Sequence, residues 1–234
     1  MRINKFLAKG GLGSRRKVEH LVSSGKITVN GRVTRDLATQ IGPDDVVFFE
    51  KKQVSYDPKP LYYAVHKPIG YVSTVSDPYA SKTVMDLIGR KTGFFPVGRL
   101  DKNSRGLIII TNDGNFAQKT SHPSNYCEKE YRVRVRLPKK DVTAYVDKAL
   151  RYFKCGAIID GQKTLPAKIK LLAMERGQAI FGIILTEGRK RQIRRIFEKA
   201  DMEVIDLLRV RIGSVELGDL KCGEVKQLHF PLDN

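Results

Sequence analysis

The stretch EKEYRVRVRL at residues 128–137 indicates most clearly what kind of fold this chain has. Its side chains alternate strictly between two kinds, which is the period-two pattern of a β-strand with one buried face. The residues of one face are apolar, namely Tyr131, Val133, Val135 and Leu137. The residues of the other face are basic, namely Arg132, Arg134 and Arg136. The chain is therefore predicted to contain a sheet with an apolar side and a polar side.

Further strands and helices surround this segment. Three more segments are predicted as strands: GLIIITNDG (106–114), AKIKLLAM (167–174) and AIFGIILTEG (179–188). Two segments are predicted as amphipathic helices: DVTAYVDKALR (141–151) and RKRQIRRIFEKA (189–200). Strands follow one another through hairpins as often as helices interrupt them, which is typical of the α+β class. We expect residues 61–234 to form a mixed, mainly antiparallel sheet flanked by helices.

The first 50 residues are predicted to form a separate small domain. Its first helix has Ile3, Phe6 and Leu7 on one face, and Ser14 is placed to cap a second helix. An Asn30-Gly31 pair between alternating residues is a strong hairpin signal. Residues 51–60, KKQVSYDPKP, are polar and contain two prolines, so we interpret them as a linker.

The charge of the chain favours a polyanionic partner. Lysine and arginine exceed aspartate and glutamate by 18 charges over 234 residues, and a domain this basic usually meets nucleic acid. A generally basic proteome is the alternative that composition leaves open. No window approaches the roughly 18 apolar residues of a membrane span, and the N-terminus lacks the apolar region of a secretory signal. We expect a soluble, cytoplasmic protein without membrane attachment.

The cysteines and histidines do not indicate a metal site. Cys127, Cys155 and Cys222 are far apart, and no Cys-x-x-Cys pair occurs. The four histidines are also scattered without metal-ligand spacing. We expect reduced, structural thiols and no bound metal.

Three cations open the predicted second helix. Arg15, Arg16 and Lys17 lie in its first turn, where the helix dipole disfavours positive charge. A nearby phosphate would reverse this cost, because backbone N–H groups point toward it as well. The cluster is either an RNA contact or a solvated group of charges, and we favour the RNA contact.

The segment GRLDKNSRGL (98–107) places one carboxylate among cations just before a buried strand. Asp101 lies two residues after Arg99 and one before Lys102. A nearby cation would lower the pKa of this aspartate and keep it ionised, as a nucleophile requires. Taken alone, an ion pair that orders the loop is the more common explanation for an aspartate in such a place.

Two further segments hold candidate functional side chains. Tyr131 lies on the apolar face of its strand, either as a core residue or as a ring that stacks on a base. The segment EGRKRQIRRIF (187–197) is rich in cations that would bind phosphate or water. Arg194 lies near the apolar stripe of this helix, so its guanidinium is able to turn inward to a carboxylate. A solvated basic helix face is the alternative.

Together these motifs resemble the RsuA-type family of ribosomal RNA pseudouridine synthases. The shared motifs, in chain order, are Lys-Pro-x-Gly within residues 67–74, Gly98-Arg99-Leu100-Asp101 with Gly106-Leu107, Lys129-Glu130-Tyr131, and Gly188-Arg189 with Gln192-Ile193-Arg194-Arg195. The N-terminal unit resembles the small RNA-binding domain first seen in a ribosomal protein of the small subunit. The resemblance covers essentially the whole chain. The segments 122–135 and 207–217 resemble the large-subunit, RluB-like members slightly more than the small-subunit enzyme.

The resemblance implies an enzyme that isomerises a uridine to pseudouridine in ribosomal RNA, and we expect 23S rRNA. The reaction involves neither redox change nor hydrolysis, so no cofactor or metal is expected. By resemblance, Asp101 is the nucleophile, Tyr131 packs against the flipped uracil, and Arg194 pairs with Asp101. Nothing in the sequence requires more than a monomer.

The resemblance also implies residues that bind the substrate and the RNA. The substrate-binding residues are Arg99, Lys129, Gln192 and Ile193, with Ile193 in the apolar floor. The cations expected to bind RNA phosphates are Arg15, Arg16, Lys17, Arg189, Lys190 and Arg191. The alternatives are the same reaction on 16S rRNA and a non-catalytic RNA-binding factor of ribosome assembly. A glycosidase would need a second carboxylate, for which Asp86 and Glu128 are candidates.

Overall fold

The computed structural model describes residues 1–55 and 59–229, and for Pro123 it describes the backbone only. The chain divides into two compact units. The N-terminal unit contains Met1–Leu61 together with Arg90–Phe94, and the larger unit contains Tyr62–Gly89 and the chain from Phe95 onward. In the described part of the chain, no helix is long and apolar enough to cross a membrane.

The N-terminal unit packs two helices against a small antiparallel sheet. Its helices are α1 (Ile3–Lys9) and α2 (Arg15–Ser23). Its strands, in the sheet order β2-β1-β3-β4, are β1 (Ile27–Val29), β2 (Arg32–Thr34), β3 (Val47–Phe49) and β4 (Lys52–Val54). The Ser14 hydroxyl accepts a hydrogen bond from the Lys17 N–H at 3.3 Å, which confirms the predicted helix cap. Asn30 and Gly31 both have positive φ and join β1 to β2, which confirms the predicted hairpin.

The predicted linker at 51–60 is wrong over its first half. Lys52–Val54 form β4, which pairs with β3 and buries Val54 in the core of the N-terminal unit. Edge strands are often short and carry lysines, which protect the edge from aggregation. A polar edge strand of this kind has the composition of a linker, and so composition alone misassigned it. Residues 56–58 of the predicted linker lie outside the described residues.

The larger unit is built on a nine-stranded mixed sheet in the described part of the chain. Its strands are β5 (Tyr62–Lys67), β6 (Phe95–Val97), β7 (Arg105–Thr111), β8 (Lys129–Arg136), β11 (Lys168–Glu175), β12 (Gln178–Leu185), β13 (Glu203–Ile212), β14 (Val215–Glu216) and β15 (Val225–Leu228). Seven of them lie side by side in the order β11-β12-β8-β13-β7-β5-β15, while β14 pairs with β13 and β6 pairs with β7. Of the described pairings between strands of this sheet, only β13 with β7 is parallel. A separate two-stranded hairpin consists of β9 (Ile158–Ile159) and β10 (Gln162–Lys163).

Three helices pack against this sheet in the described part of the chain. They are α3 (Gly114–Ser121), α4 (Val142–Cys155) and α5 (Gln192–Lys199), with 3₁₀ turns at Val84–Ile88 and Pro123–Asn125. Phe197 of α5 lies between Phe153 of α4 and Phe181 of β12, with ring centroids 5.2 Å apart in each pair. The alternation in β8 is borne out, since Val133 and Val135 are fully buried while the arginines between them are exposed. The predicted α+β class is confirmed.

Candidate active site

A cavity of about 350 Å³ lies in the larger unit. The end of β6, the start of β8, the end of β12, the start of α5 and part of β13 line its wall. It brings together the seven residues predicted as catalytic or substrate-binding, which are Arg99, Asp101, Lys129, Tyr131, Gln192, Ile193 and Arg194. Arg189, Lys190 and Arg191 also line it. The motifs are separated by up to 95 residues in sequence, and the fold places them around one space.

Asp101 lies on a short loop between β6 and β7, residues 99–104, which we call the Asp101 loop. Leu100 is 8% exposed and packs in the same core cluster as Tyr131, which anchors the loop beside the cavity. Asp101 itself is half-buried. Within the described residues, no hydrogen-bond donor reaches its carboxylate. The carboxylate is therefore available to a ligand in the cavity.

The glycine that follows this loop is required by the neighbouring strand. Gly106 has a φ of +111°, and a Cβ at this position would lie 2.3 Å from the Arg209 carbonyl oxygen. The close approach arises because β7 and β13 pair in parallel here, with Gly106 opposite Arg209. Only glycine allows the backbone of the loop to join β7 directly against β13.

Tyr131 is both a core residue and a residue of the cavity wall, the two alternatives between which the sequence did not decide. Its side chain is 7% exposed and belongs to the hydrophobic core, yet it also lines the cavity. It is paired with Ile183 on β12 and with Arg209 on β13. This packing holds the ring in place at the cavity wall, where an aromatic face can contact a flat ligand.

The expected ion pair between Arg194 and Asp101 is absent among the described contacts, and this part of the prediction is wrong. The Arg194 guanidinium instead donates to the Val204 carbonyl at 3.0 Å and to the Asn103 carbonyl at 2.7 Å. Burial and the charge of Arg191 lower the pKa of Arg194, while the charge of Asp101 opposes them. The charge of Asp101 therefore acts on Arg194, but the two terminal nitrogens of the guanidinium donate to backbone carbonyls.

Glu187 organises the loop between β12 and α5, and sequence reasoning missed it. Its side chain is 11% exposed, and its carboxylate accepts from the Leu165 N–H at 2.9 Å, the Gln192 amide at 2.6 Å and the Arg189 Nε at 3.1 Å. Burying a carboxylate is costly unless such donors satisfy it. The signal in the sequence was a single acid two residues before a run of cations.

This network changes the roles expected for Arg189 and Gln192. The Arg189 guanidinium also donates to the carbonyls of Gln162 and Lys163, so most of its donors are used within the protein. Its predicted role as a phosphate-binding cation is therefore not supported by its contacts. Gln192 is 3% exposed, and its amide oxygen accepts from the Arg189 backbone N–H at 3.1 Å. Both residues shape the cavity wall, because they hold the loop that forms it.

The other residues predicted at the cavity differ in whether their side chains are already bonded within the protein. Arg99, Lys190 and Arg191 are exposed at the cavity, and in the described part of the chain their side chains form no hydrogen bond. Ile193 is 5% exposed and gives the wall an apolar surface. The Lys129 ammonium donates to the Cys127 carbonyl at 3.0 Å, and burial lowers the pKa of Lys129.

Two buried cations next to the Asp101 loop had no role assigned from the sequence. Lys67 is 0% exposed and donates to the carbonyls of Ser104 at 2.6 Å and Pro68 at 3.0 Å. Burial lowers the pKa of Lys67 to about 8, against the opposing charge of Asp101. Arg209 is 2% exposed, and its Nε donates to the Leu107 carbonyl at 2.7 Å. Lys67 begins the Lys-Pro-x-Gly motif, to which no role was assigned, and for Arg209 an arginine inside a strand is the only signal that the sequence offered.

The remaining predicted cations belong to the N-terminal unit. Arg15, Arg16 and Lys17 are exposed on the first turn of α2, as the sequence predicted. Within the described residues, no carboxylate forms an ion pair with them. Their contact with RNA stays a prediction.

The comparisons with known proteins agree with this geometry. The model of the RNA pseudouridylate synthase family matches residues 61–199, and the model of the S4 domain matches residues 1–47. The chain belongs to the RNA pseudouridine synthase family. The family suggested by the motifs is thereby confirmed, and the synthase is an isomerase with an N-terminal S4 domain.

Relatives of this synthase match it over nearly the whole chain. Ribosomal large subunit pseudouridine synthase B of Bacillus subtilis is 35% identical over 231 residues, covering 97% of this chain and 91% of the relative. An uncharacterised RNA pseudouridine synthase of Aquifex aeolicus is 35% identical, covering 98% and 90%. A crystal structure of a pseudouridylate synthase aligns with a TM-score of 0.65 and 25% identity, covering 98% of this chain and 96% of that one.

Two carboxylates line the cavity of the synthase, and they differ in their hydrogen bonding within the protein. Glu187 has hydrogen-bond donors on both oxygens, whereas Asp101 has none among the described residues. The glycosidase alternative named Asp86 and Glu128 as the second acid, and neither lines the cavity. Asp86 caps the 3₁₀ turn at Thr83, and Glu128 pairs with Lys168 and Arg211. The arrangement therefore supplies one free carboxylate, which suits a single nucleophile rather than an acid–base pair.

Proposed function

We propose that this synthase converts a uridine of 23S ribosomal RNA to pseudouridine, with Asp101 as the nucleophile. The observation that carries the proposal is the free carboxylate of Asp101 in a cavity that also holds Tyr131. The large-subunit target is supported by the name of the Bacillus subtilis relative, which matches the chain end to end. The net charge of +18 suits a ribosomal RNA partner.

The size of the cavity supports a flipped-out nucleotide as the substrate. A volume of about 350 Å³ accommodates one nucleotide and excludes a duplex. A uridine in folded RNA therefore has to leave its stack to reach Asp101. The buried side chains of Tyr131 and Ile193 give an apolar surface for the uracil ring, while Lys129 supplies a donor beside it.

The chemistry requires that the base be detached, turned and rejoined within the same site. Asp101 assists cleavage of the bond between the anomeric carbon and N1 of the ring. The uracil then rotates and bonds through C5, so that N1 gains a proton and C5 loses one. The reaction conserves all atoms of the nucleotide.

The exposed cations position the RNA without selecting a sequence. Arg99, Lys190 and Arg191 line the cavity and are exposed, and in this proposal they contact the phosphates next to the flipped nucleotide. Arg15, Arg16 and Lys17 add a second group of cations on the S4 domain. Binding through these contacts should weaken steeply as salt increases.

The test is pseudouridine formation on defined RNAs. Wild-type protein is incubated with 23S and 16S transcripts and with ribosomal subunits that lack modification, and pseudouridines are mapped at nucleotide resolution. We expect one or a few sites in 23S rRNA, no product with Asp101→Asn, and normal activity with the matched control Asp147→Asn, an exposed aspartate of α4. Activity of Asp101→Asn equal to wild type would contradict the nucleophile, and product only in 16S rRNA would contradict the target. Binding without product on any RNA would favour an assembly factor.

A further inference from the structure

The Asp101 loop is held by its backbone along its whole length. Each carbonyl from residue 99 to residue 104 accepts a hydrogen bond from a donor within the protein. The donors, in loop order, are Arg209 Nη1, Ser73 Oγ, the Ser104 N–H, the Gly70 N–H, Arg194 Nη2 and Lys67 Nζ. A loop that presents a reacting group is expected to be fixed in this way, because catalysis depends on the position of that group.

These donors come from two sides. Lys67, Gly70 and Ser73 belong to one segment that begins at the last residue of β5, which we call the 67–73 segment, and they hold alternate carbonyls of the loop. Arg209 of β13 holds the carbonyl of Arg99 at the start of the loop, and Arg194 of α5 holds that of Asn103. The Asp101 loop is therefore held between the 67–73 segment and two arginines, the buried Arg209 and the half-buried Arg194.

Ser73 makes a double contact next to the nucleophile. Its hydroxyl donates to the Leu100 carbonyl at 2.9 Å and accepts from the Leu100 N–H at 3.0 Å. One hydroxyl thus satisfies both backbone groups of the residue directly before Asp101. Ser73 is 6% exposed and Leu100 is 8% exposed, so water cannot easily replace these bonds.

We propose that Ser73 is a positioning residue for Asp101. Ser73 does not line the cavity, so it acts on the reaction through the backbone of Leu100 and not by touching the substrate. Loss of its hydroxyl leaves two buried backbone groups of Leu100 unpaired, and the loop has to shift to find new partners. The inference rests on the proposed role of Asp101 as the nucleophile.

The chain provides a matched control one residue away. The Thr74 hydroxyl donates to the Ser76 carbonyl at 3.0 Å, so it stabilises its own exposed turn and does not contact the Asp101 loop. Thr74→Val and Ser73→Ala each remove one hydroxyl from the same stretch of chain. A difference between them therefore reports the contact with Leu100.

The experiment measures single-turnover rates with enzyme in excess over the 23S substrate, RNA affinity by filter binding, and melting temperature. We expect Ser73→Ala to lower the single-turnover rate constant about 10- to 100-fold, as a misplacement near 1 Å does, with RNA affinity within about twofold of wild type. Thr74→Val should leave both quantities unchanged. Ser73→Cys, which keeps the volume but has a weak donor, should fall between the two and serves if Ser73→Ala does not fold.

The outcomes separate this inference from the proposed function. A Ser73 variant that melts earlier but keeps the wild-type rate constant shows a purely structural role and overturns the inference, while an inactive Asp101→Asn still supports the nucleophile. A Ser73 variant whose loss is in RNA affinity alone overturns it too. Wild-type activity of Asp101→Asn refutes the proposed function directly, whatever Ser73 does.

Discussion

Lys67 makes the stability of the larger unit rise with pH in the alkaline range, opposite to a lysine whose pKa is raised by an acidic partner. Burial lowers its pKa in the folded protein to about 8, from an ordinary value of 10.5 in the unfolded chain. Below pH 8 both states hold the proton, and the folded state bears the full cost of the buried charge. Between pH 8 and 10.5 the unfolded chain keeps a proton that the folded protein has released. Stability at this residue therefore rises with pH over that interval.

The size of the effect follows from the shift. Each pKa unit corresponds to about 1.4 kcal/mol. The shift from 10.5 to about 8 therefore corresponds to a gain of roughly 3 kcal/mol across the interval. The Lys67 side chain is fully buried, so solvent does not screen its charge.

The assay is urea unfolding of wild type and Lys67→Met at pH 7, 8, 9 and 10, followed by circular dichroism because the chain has no tryptophan. At each pH, the difference in unfolding free energy between wild type and Lys67→Met removes the contribution of the other titrating groups, because both proteins share them. We expect the unfolding free energy of wild type to rise relative to that of Lys67→Met by about 1 kcal/mol per pH unit above pH 8. The exposed Lys102→Met serves as the control, and its difference from wild type should stay constant. A wild-type advantage that is flat or falls with pH would refute the reasoning.

Two further predictions concern the glycine of the loop and the cations of the cavity. Gly106→Ala should destabilise the fold by about 2–5 kcal/mol in urea unfolding, because the new Cβ meets the β13 backbone; full stability would contradict the parallel pairing. Lys190→Ala with Arg191→Ala should reduce the slope of log affinity against log salt by about 1.4 on single-stranded RNA. The same change at Lys154 and Lys199, exposed elsewhere in the unit, should leave that slope unchanged.

Local periodicity predicted the strongest elements of the fold. The alternation of β8 predicted both its structure and its buried face, because side chains of a strand point to opposite sides whatever its neighbours are. The hairpin at Asn30-Gly31 was predictable for a similar reason, since its positive φ values favour these two residues. The β4 strand was not predictable, because Lys52 and Gln53 at a sheet edge look like any polar loop.

The candidate site was predictable in its membership and less so in its contacts. The motif order indicated that Asp101, Tyr131 and Arg194 meet, and all three line one cavity. The predicted partner of Arg194 was wrong, because a guanidinium donates to backbone carbonyls with the same N–H groups that it would use for a carboxylate. Arg189 and Arg191 lie two residues apart and look alike in sequence. In the structure, Arg189 is bonded to Glu187 and the chain at 162–163, while Arg191 is exposed.

The sequence by itself determined the family, the α+β class and the residues that meet at the cavity, because motif spacing and side-chain periodicity are local properties of the chain. Only the tertiary structure decided which polar groups are already satisfied. Segments distant in sequence supply those partners: Ser73 and Lys67 for the Asp101 loop, and Glu187 for the wall opposite. A hydrogen bond depends on distances of a few tenths of an ångström, and no pattern in the sequence encodes such distances. Of the two carboxylates that line the cavity, Glu187 is bonded within the protein and Asp101 is left open to a ligand in the described residues, which is the basis for proposing Asp101 as the nucleophile.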